Sequence, residues 1–193
     1  MTQFTRRAII ATFIELLNER PLDKITVNEI VQRCGVNRNT FYYYYQDIYA
    51  LIDEIFQAET ARISEDTNDF SSWSEAFLAA THFARENKRA IYHIYHSVSR
   101  ERLEEYLYGV TRANITRFVR SLSAGLTVPD GDVLLIADFY TYALVGQVLE
   151  WLNHGMKTDQ EQVIERAAVL FDGSIRRALE HADPRHAASE NRA

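Results

Sequence analysis

Apolar residues recur every three or four positions along nearly the whole chain, and no segment sustains the two-residue alternation of a half-buried strand. The pattern predicts an all-α protein of about nine helices. The first runs from about Thr5 to Glu19, with Ile9, Phe13, Leu16 and Leu17 inward, and stops at Arg20-Pro21-Leu22-Asp23. Thr26 and Glu29 then have the spacing of a capping box, and Ile25 and Ile30 that of a hydrophobic staple. They open a short helix, about 27–34, which Gly35 can end in the left-handed conformation. Only Val36 separates that glycine from Asn37, a second cap, and Val36 with Phe41 makes a second staple. The stretch NRNTFYYYY, residues 37–45, therefore opens another helix.

Asp47 is placed to cap a fourth helix, ending near Ile63. Beyond a loop closing on a serine cap at Ser72, helices are expected over about 73–85, 88–97, from Ser99 to near Gly125, and over 132–153. Thr158 and Glu161 form a further capping box for a last helix ending near His181. The expected domains are a head at 1–47, a body at 48–182, and a small, polar, disordered tail at 183–193.

A short helix, a glycine turn and a second short helix make the helix-turn-helix plan, whose second helix fits the major groove. Arg38, Asn39 and Thr40 stand on the first turn of that second helix. Its free amides attract a phosphate; arginine can read guanine and asparagine adenine. Successive helical residues turn by about 100°, so the four tyrosines cannot share a face. Phe41 and Tyr45, an i, i+4 pair, are assigned inward, and Arg38–Tyr42, Asn39–Tyr43 and Thr40–Tyr44 to the DNA side. The alternative is a helical hairpin with no nucleic-acid role.

The net charge of −6 at first argues against DNA. Residues 1–50, however, hold six Lys/Arg against five Asp/Glu, and the excess acid lies downstream. A nearly neutral head can bind DNA if its cations face one way, with affinity that falls as salt rises. Arg6 and Arg7 are placed to supply an arm. A single cysteine, Cys34, excludes an intramolecular disulfide. With no apolar run near the roughly 20 residues of a membrane span, the reading is cytoplasmic with no membrane partner.

The stretch from Ile25 to Phe56 resembles the TetR/AcrR family of bacterial regulators. Thr26, Ile30, Gly35, Val36, Thr40, Phe41, Tyr42, Asp47 and Leu51 fall on that family's pattern, and Asn37 replaces its usual serine cap. The resemblance implies that Thr26, Thr40, Tyr42 and Tyr44 meet phosphates and that Tyr43 lies near bases. One departure is Ile48, where the family often has a phosphate-binding lysine. The FYYxxxDIY form and YHSVSRERLEEYLY, residues 95–108, resemble a subgroup typified by activators of dihydroxyacetone-kinase operons.

The eighth helix is apolar around too much of its circumference for a surface helix. Ile136, Tyr140, Ala143, Val148 and Leu152, with Val163, Ala167, Leu170 and Phe171 of the ninth, are expected at a dimer interface. The resemblance implies a four-helix bundle across a two-fold axis, suited to a palindromic duplex operator. It also implies an effector pocket, for which Phe77, Tyr92, Tyr95, His96, Tyr106, Phe139 and Tyr142 are the candidates. His93 and His96 share a helix face, but no HExxH motif or neighbouring carboxylate supports a metal. No phosphate loop, nucleophile elbow or catalytic dyad appears, so neither enzyme nor cofactor is expected. Three readings remain: a homodimeric repressor released by a small-molecule effector, an activator working through a protein coregulator, and a helical interaction protein without DNA.

Overall fold

The computed structural model describes residues 2–66, 73–97 and 100–185. Among them are ten α-helices, one 3₁₀ turn and no strand: α1 (Thr2–Glu19), the turn Leu22–Lys24, α2 (Val27–Cys34), α3 (Arg38–Tyr44), α4 (Tyr49–Asp66), α5 (Trp73–Glu86), α6 (Lys88–Tyr95), α7 (Arg100–Leu122), α8 (Asp130–Asn153), α9 (Gln160–Leu170) and α10 (Ser174–Ala182). The expected caps at Ser72 and Ser99, and residues 186–193 of the expected tail, lie outside the described residues.

The last expected helix is two. Gly173 adopts φ +66°, which a helix cannot continue through, and α10 restarts at Ser174. The N-cap of α9 also moves one residue on: Asp159 accepts from the Glu161 amide, while the Thr158 carbonyl accepts from Trp151 Nε1.

The chain divides into two compact units, one of residues 1–63 and 82–106, the other of 64–81 and 107–193. The head expected at 1–47 does not end at its sequence boundary, because α6 packs on α1. The Ala90 amide donates to Asn18 Oδ1 (3.3 Å), and His93 Nδ1 donates to the Leu17 carbonyl (2.6 Å). Ile9, Phe13, Leu16, Leu17, Ile30, Phe41, Leu51 and Ile52 are fully buried in this first unit. In the second, Ile115 and Val119 of α7, Val133 and Ala137 of α8, and Ile175 and Leu179 of α10 form the core.

At 24 residues, α8 is long and apolar enough, by length and composition alone, to cross a membrane, which the sequence reading missed. Here one stripe of it is core, and Asp138 on its flank pairs with Arg112 (2.7 Å).

The expected tail is not loose at its start. Asp183 is buried, accepts from the Thr127 amide (2.9 Å) and pairs with Arg185 (2.7 Å), which also reaches the Gly125 carbonyl. Arg185 and the Thr127 amide hold the Asp183 carboxyl well below the ordinary carboxylate range. This stabilisation is full above the unfolded aspartate value, about 3.9, and fades as pH falls below it. Asp183→Asn is therefore expected to lower the thermal midpoint at neutral pH and to flatten its acid decline, as read by circular dichroism melts across pH.

Candidate nucleic-acid interface

The helix-turn-helix is built by short-range bonds. The Glu29 amide donates to Thr26 Oγ1 (3.3 Å), capping α2. The return half of the expected capping box is replaced: the Glu29 carboxylate meets Arg20 (2.7 Å). Gly35 takes φ +72° and donates to the Val31 carbonyl, turning the chain towards Asn37. Asn37 Oδ1 accepts from the Thr40 amide (2.8 Å) and from the Thr40 hydroxyl (3.0 Å), capping α3.

The division of the tyrosines follows. Phe41 is 0% exposed and Tyr45, just past the end of α3, is buried, with ring centroids 5.7 Å apart. Burial pushes the Tyr45 phenol up to about 12, and its hydroxyl has no well-formed hydrogen bond, beside the Arg6–Glu54 pair (2.8 Å). Arg6 is thereby tied to α4 rather than free as an arm. On the other side Tyr43 is 76% exposed, Tyr42 and Asn39 are exposed, and Tyr44 is half-buried with its ring edge-on to Tyr43 at 4.9 Å. Arg38 Nη2 donates to the Tyr42 hydroxyl (3.3 Å). Thr26, Arg38, Asn39, Tyr42 and Tyr43 are thus solvent-facing, with Thr40 and Tyr44 at the margin.

Charge counting missed how the head's cations are used. Arg20 pairs with Glu29, Arg33 with Glu19 (2.8 Å) and Lys24 more loosely with Asp23 (3.8 Å). With Arg6 on Glu54, Arg7 and Arg38 are the cations of residues 1–50 with no carboxylate partner among the described residues.

The expected effector residues are divided between the two units. In the first, Tyr106 stacks on Phe56 (4.4 Å), Tyr95 is buried under Arg100, and Tyr92 rests on His96 (4.0 Å). In the second, Phe77 and Phe139 line a mostly apolar cavity of about 830 Å³ between α5, α8 and α9. Tyr142 meets Tyr108 edge-on instead. Leu144, Ile164 and Gln160 also line that cavity, and none of them was singled out for it from sequence.

The α8 residues expected at a dimer interface differ in exposure. Leu152 is 1% exposed and is core. Ile136 and Tyr140 pack against the core cluster, with the Tyr140 hydroxyl on Ser174 (2.6 Å), and Val148 is half-buried. The outward stripe is Leu135 (67% exposed), Phe139 (69%), Tyr142 (62%), Ala143 and Gly146. On α9 and its end, Val163, Leu170 and Phe171 are exposed and Ala167 is half-buried, as expected of an outward face.

A capped helix-turn-helix with an exposed polar recognition surface, followed by an all-helical body, defines the class of helix-turn-helix transcriptional regulators. Residues 9–55 match the model for bacterial regulatory proteins of the tetR family, and residues 71–173 match a transcriptional regulator C-terminal region of the same family, over half of the chain in the second case alone. The chain belongs to the TetR family, whose members are regulators and not enzymes. Among similar curated proteins are DhaS of Lactococcus lactis, a dhaKLM operon transcriptional activator (29% identical over 84 residues, 44% of this chain), and a class G tetracycline repressor of Vibrio anguillarum (29% over 75 residues, 36%). The matched stretches span less than half the length of either relative, 45% and 36%. Two solved structures share the fold. DhaS has a TM-score of 0.73 at 19% identity, covering 93% of this chain and 98% of its own. NalD, a repressor of a Pseudomonas aeruginosa efflux pump, has 0.59 at 18%, covering 93% and 98%.

Proposed function

We propose that the protein is a cytoplasmic homodimeric repressor that grips a palindromic operator through α3 of each protomer and is released by a small-molecule effector. The carrying observation is the split of α3: Phe41 is sealed inside, while Arg38, Asn39, Tyr42 and Tyr43 are presented on a capped helix start. Tyr42 and Tyr44 hydroxyls would hold phosphates without adding charge, and Tyr43 would approach bases. The outward stripe of α8, with Val163, Ala167, Leu170 and Phe171, would meet the second copy. The groove lined by Phe77 and Phe139 shares Ala143, Val163, Ala167, Leu170 and Phe171 with that face, so the second copy would close it into a cavity of the size of a small-molecule site.

A second reading, an activator controlled by a protein coregulator, is favoured by the matches to DhaS and by Ile48, which removes a cation from the head. The test has two arms. Binding of labelled DNA from beside the protein's own gene, lost on raising salt, supports the shared part of both readings, and no binding at low salt overturns it. A reporter in a deletion strain then gives the sign: derepression supports the repressor, loss of expression the activator.

A further inference from the structure

We infer that Tyr42 is a positioning residue for base recognition: it holds Arg38 in a reading geometry, so that the two act as one specificity unit. The inference rests on the DNA-binding reading above.

The observations form a chain outward from the core. Phe41 is wholly buried, and the Tyr42 ring stands edge-on to it at 5.5 Å, 87° between planes, which seats that ring on a fixed wall. One turn earlier on the same face, the Arg38 guanidinium lies 5.5 Å from the Tyr42 ring centroid and donates through Nη2 to its hydroxyl at 3.3 Å. The other arginines of the head that pair do so with carboxylates, but Arg38 is steadied by a neutral phenol. A carboxylate would cancel the charge that DNA attracts; a phenol orients the fork and leaves the charge in place. The bond consumes one N–H of five, so a bidentate contact to a guanine edge stays open. It also occupies a lone pair of the phenol oxygen and leaves its O–H free to donate to a phosphate. A free arginine loses much rotamer freedom when it docks on a base, and prior ordering removes part of that loss.

The test uses the full-length protein and a labelled duplex that it selects from a randomised pool, with every base pair of one half-site then varied. Affinities are read by fluorescence anisotropy at fixed salt for the wild type, Arg38→Ala, Tyr42→Phe and the double variant, with helicity checked by circular dichroism. Arg38→Ala is expected to flatten the preference at one G·C pair about tenfold. Tyr42→Phe, which keeps the ring, is expected to flatten the same pair several-fold, and the double variant to discriminate there no worse than Arg38→Ala alone. Arg38→Lys, which keeps the charge without the fork, should flatten that pair too, with Tyr42→Phe adding nothing to it. If Tyr42→Phe weakens all duplexes equally and its effect multiplies with that of Arg38→Ala, Tyr42 is a phosphate contact alone and the inference is overturned while DNA binding stands. If the wild type selects no sequence, the DNA-binding reading falls and the inference falls with it.

Discussion

Phe41→Ala is expected to destabilise the helix-turn-helix by about 3–5 kcal/mol, the range for deleting a buried phenylalanine. The cost is large because Phe41 has no exposed surface, lies on the helix that Asn37 caps and packs against the buried Tyr45 ring. Removing it leaves a cavity that its packed neighbours cannot fill without breaking their own packing. Tyr43→Ala, two residues away, is expected to change stability by less than about 0.5 kcal/mol, because that ring is mostly in solvent. The two variants should fail at DNA for different reasons. Amide hydrogen exchange over residues 9–56 separates them: Phe41→Ala exchanges faster by several orders of magnitude, while Tyr43→Ala keeps wild-type protection and loses operator affinity. Equal protection in both variants would mean that the first core does not run through Phe41.

The recognition helix was legible because its determinants are local. Thr26, Gly35 and Asn37 act on backbone groups within three or four residues, and the 100° rotation alone puts Tyr43 about 160° away from Tyr45. What could not be read there was partnership at long sequence distance. Arg33 finds Glu19 fourteen residues away, and His93 finds the Leu17 carbonyl seventy-six residues away. A charge count sees both residues and neither bond. The His93–Leu17 bond and the neighbouring Asn18–Ala90 bond also explain why the first unit recruits α6, which no composition shift announces.

The body was legible as helices and illegible as faces. A helix as uniformly apolar as α8 gives periodicity little to select, so the core-facing stripe is decided by what α7 and α10 present to it. Ile136, Tyr140 and Leu152 went inward and Leu135, Phe139 and Tyr142 outward on that account. The α9–α10 break did leave a signal, Asp172-Gly173-Ser174, a turn tripeptide. That signal is masked because apolar positions continue in phase across it, from Phe171 to Ile175.

Gly146→Arg tests the outward face with the least ambiguity. A Cβ at Gly146 meets no atom within 4 Å, and its backbone is ordinary helix, so the protomer accommodates the side chain. Replacing a helical glycine should stabilise the protomer itself by up to about 1 kcal/mol. In a dimer closed by the stripe of Leu135, Phe139, Tyr142 and Ala143, the same arginine would be driven into the partner, burying an unpaired charge on each side of the two-fold axis. The expected result is a pair of opposite changes: a monomer with wild-type helicity and equal or higher intrinsic stability, where the wild type sediments as a dimer. Operator affinity should fall about 10²–10⁴-fold, because two linked heads become independent and effective concentration is lost. Affinity for an isolated half-site should not change, since α3 is untouched. Analytical ultracentrifugation and anisotropy on full and half operators read all three quantities. A Gly146→Arg protein that stays dimeric with full operator affinity would place the interface on another face and would reassign the exposed α8 stripe.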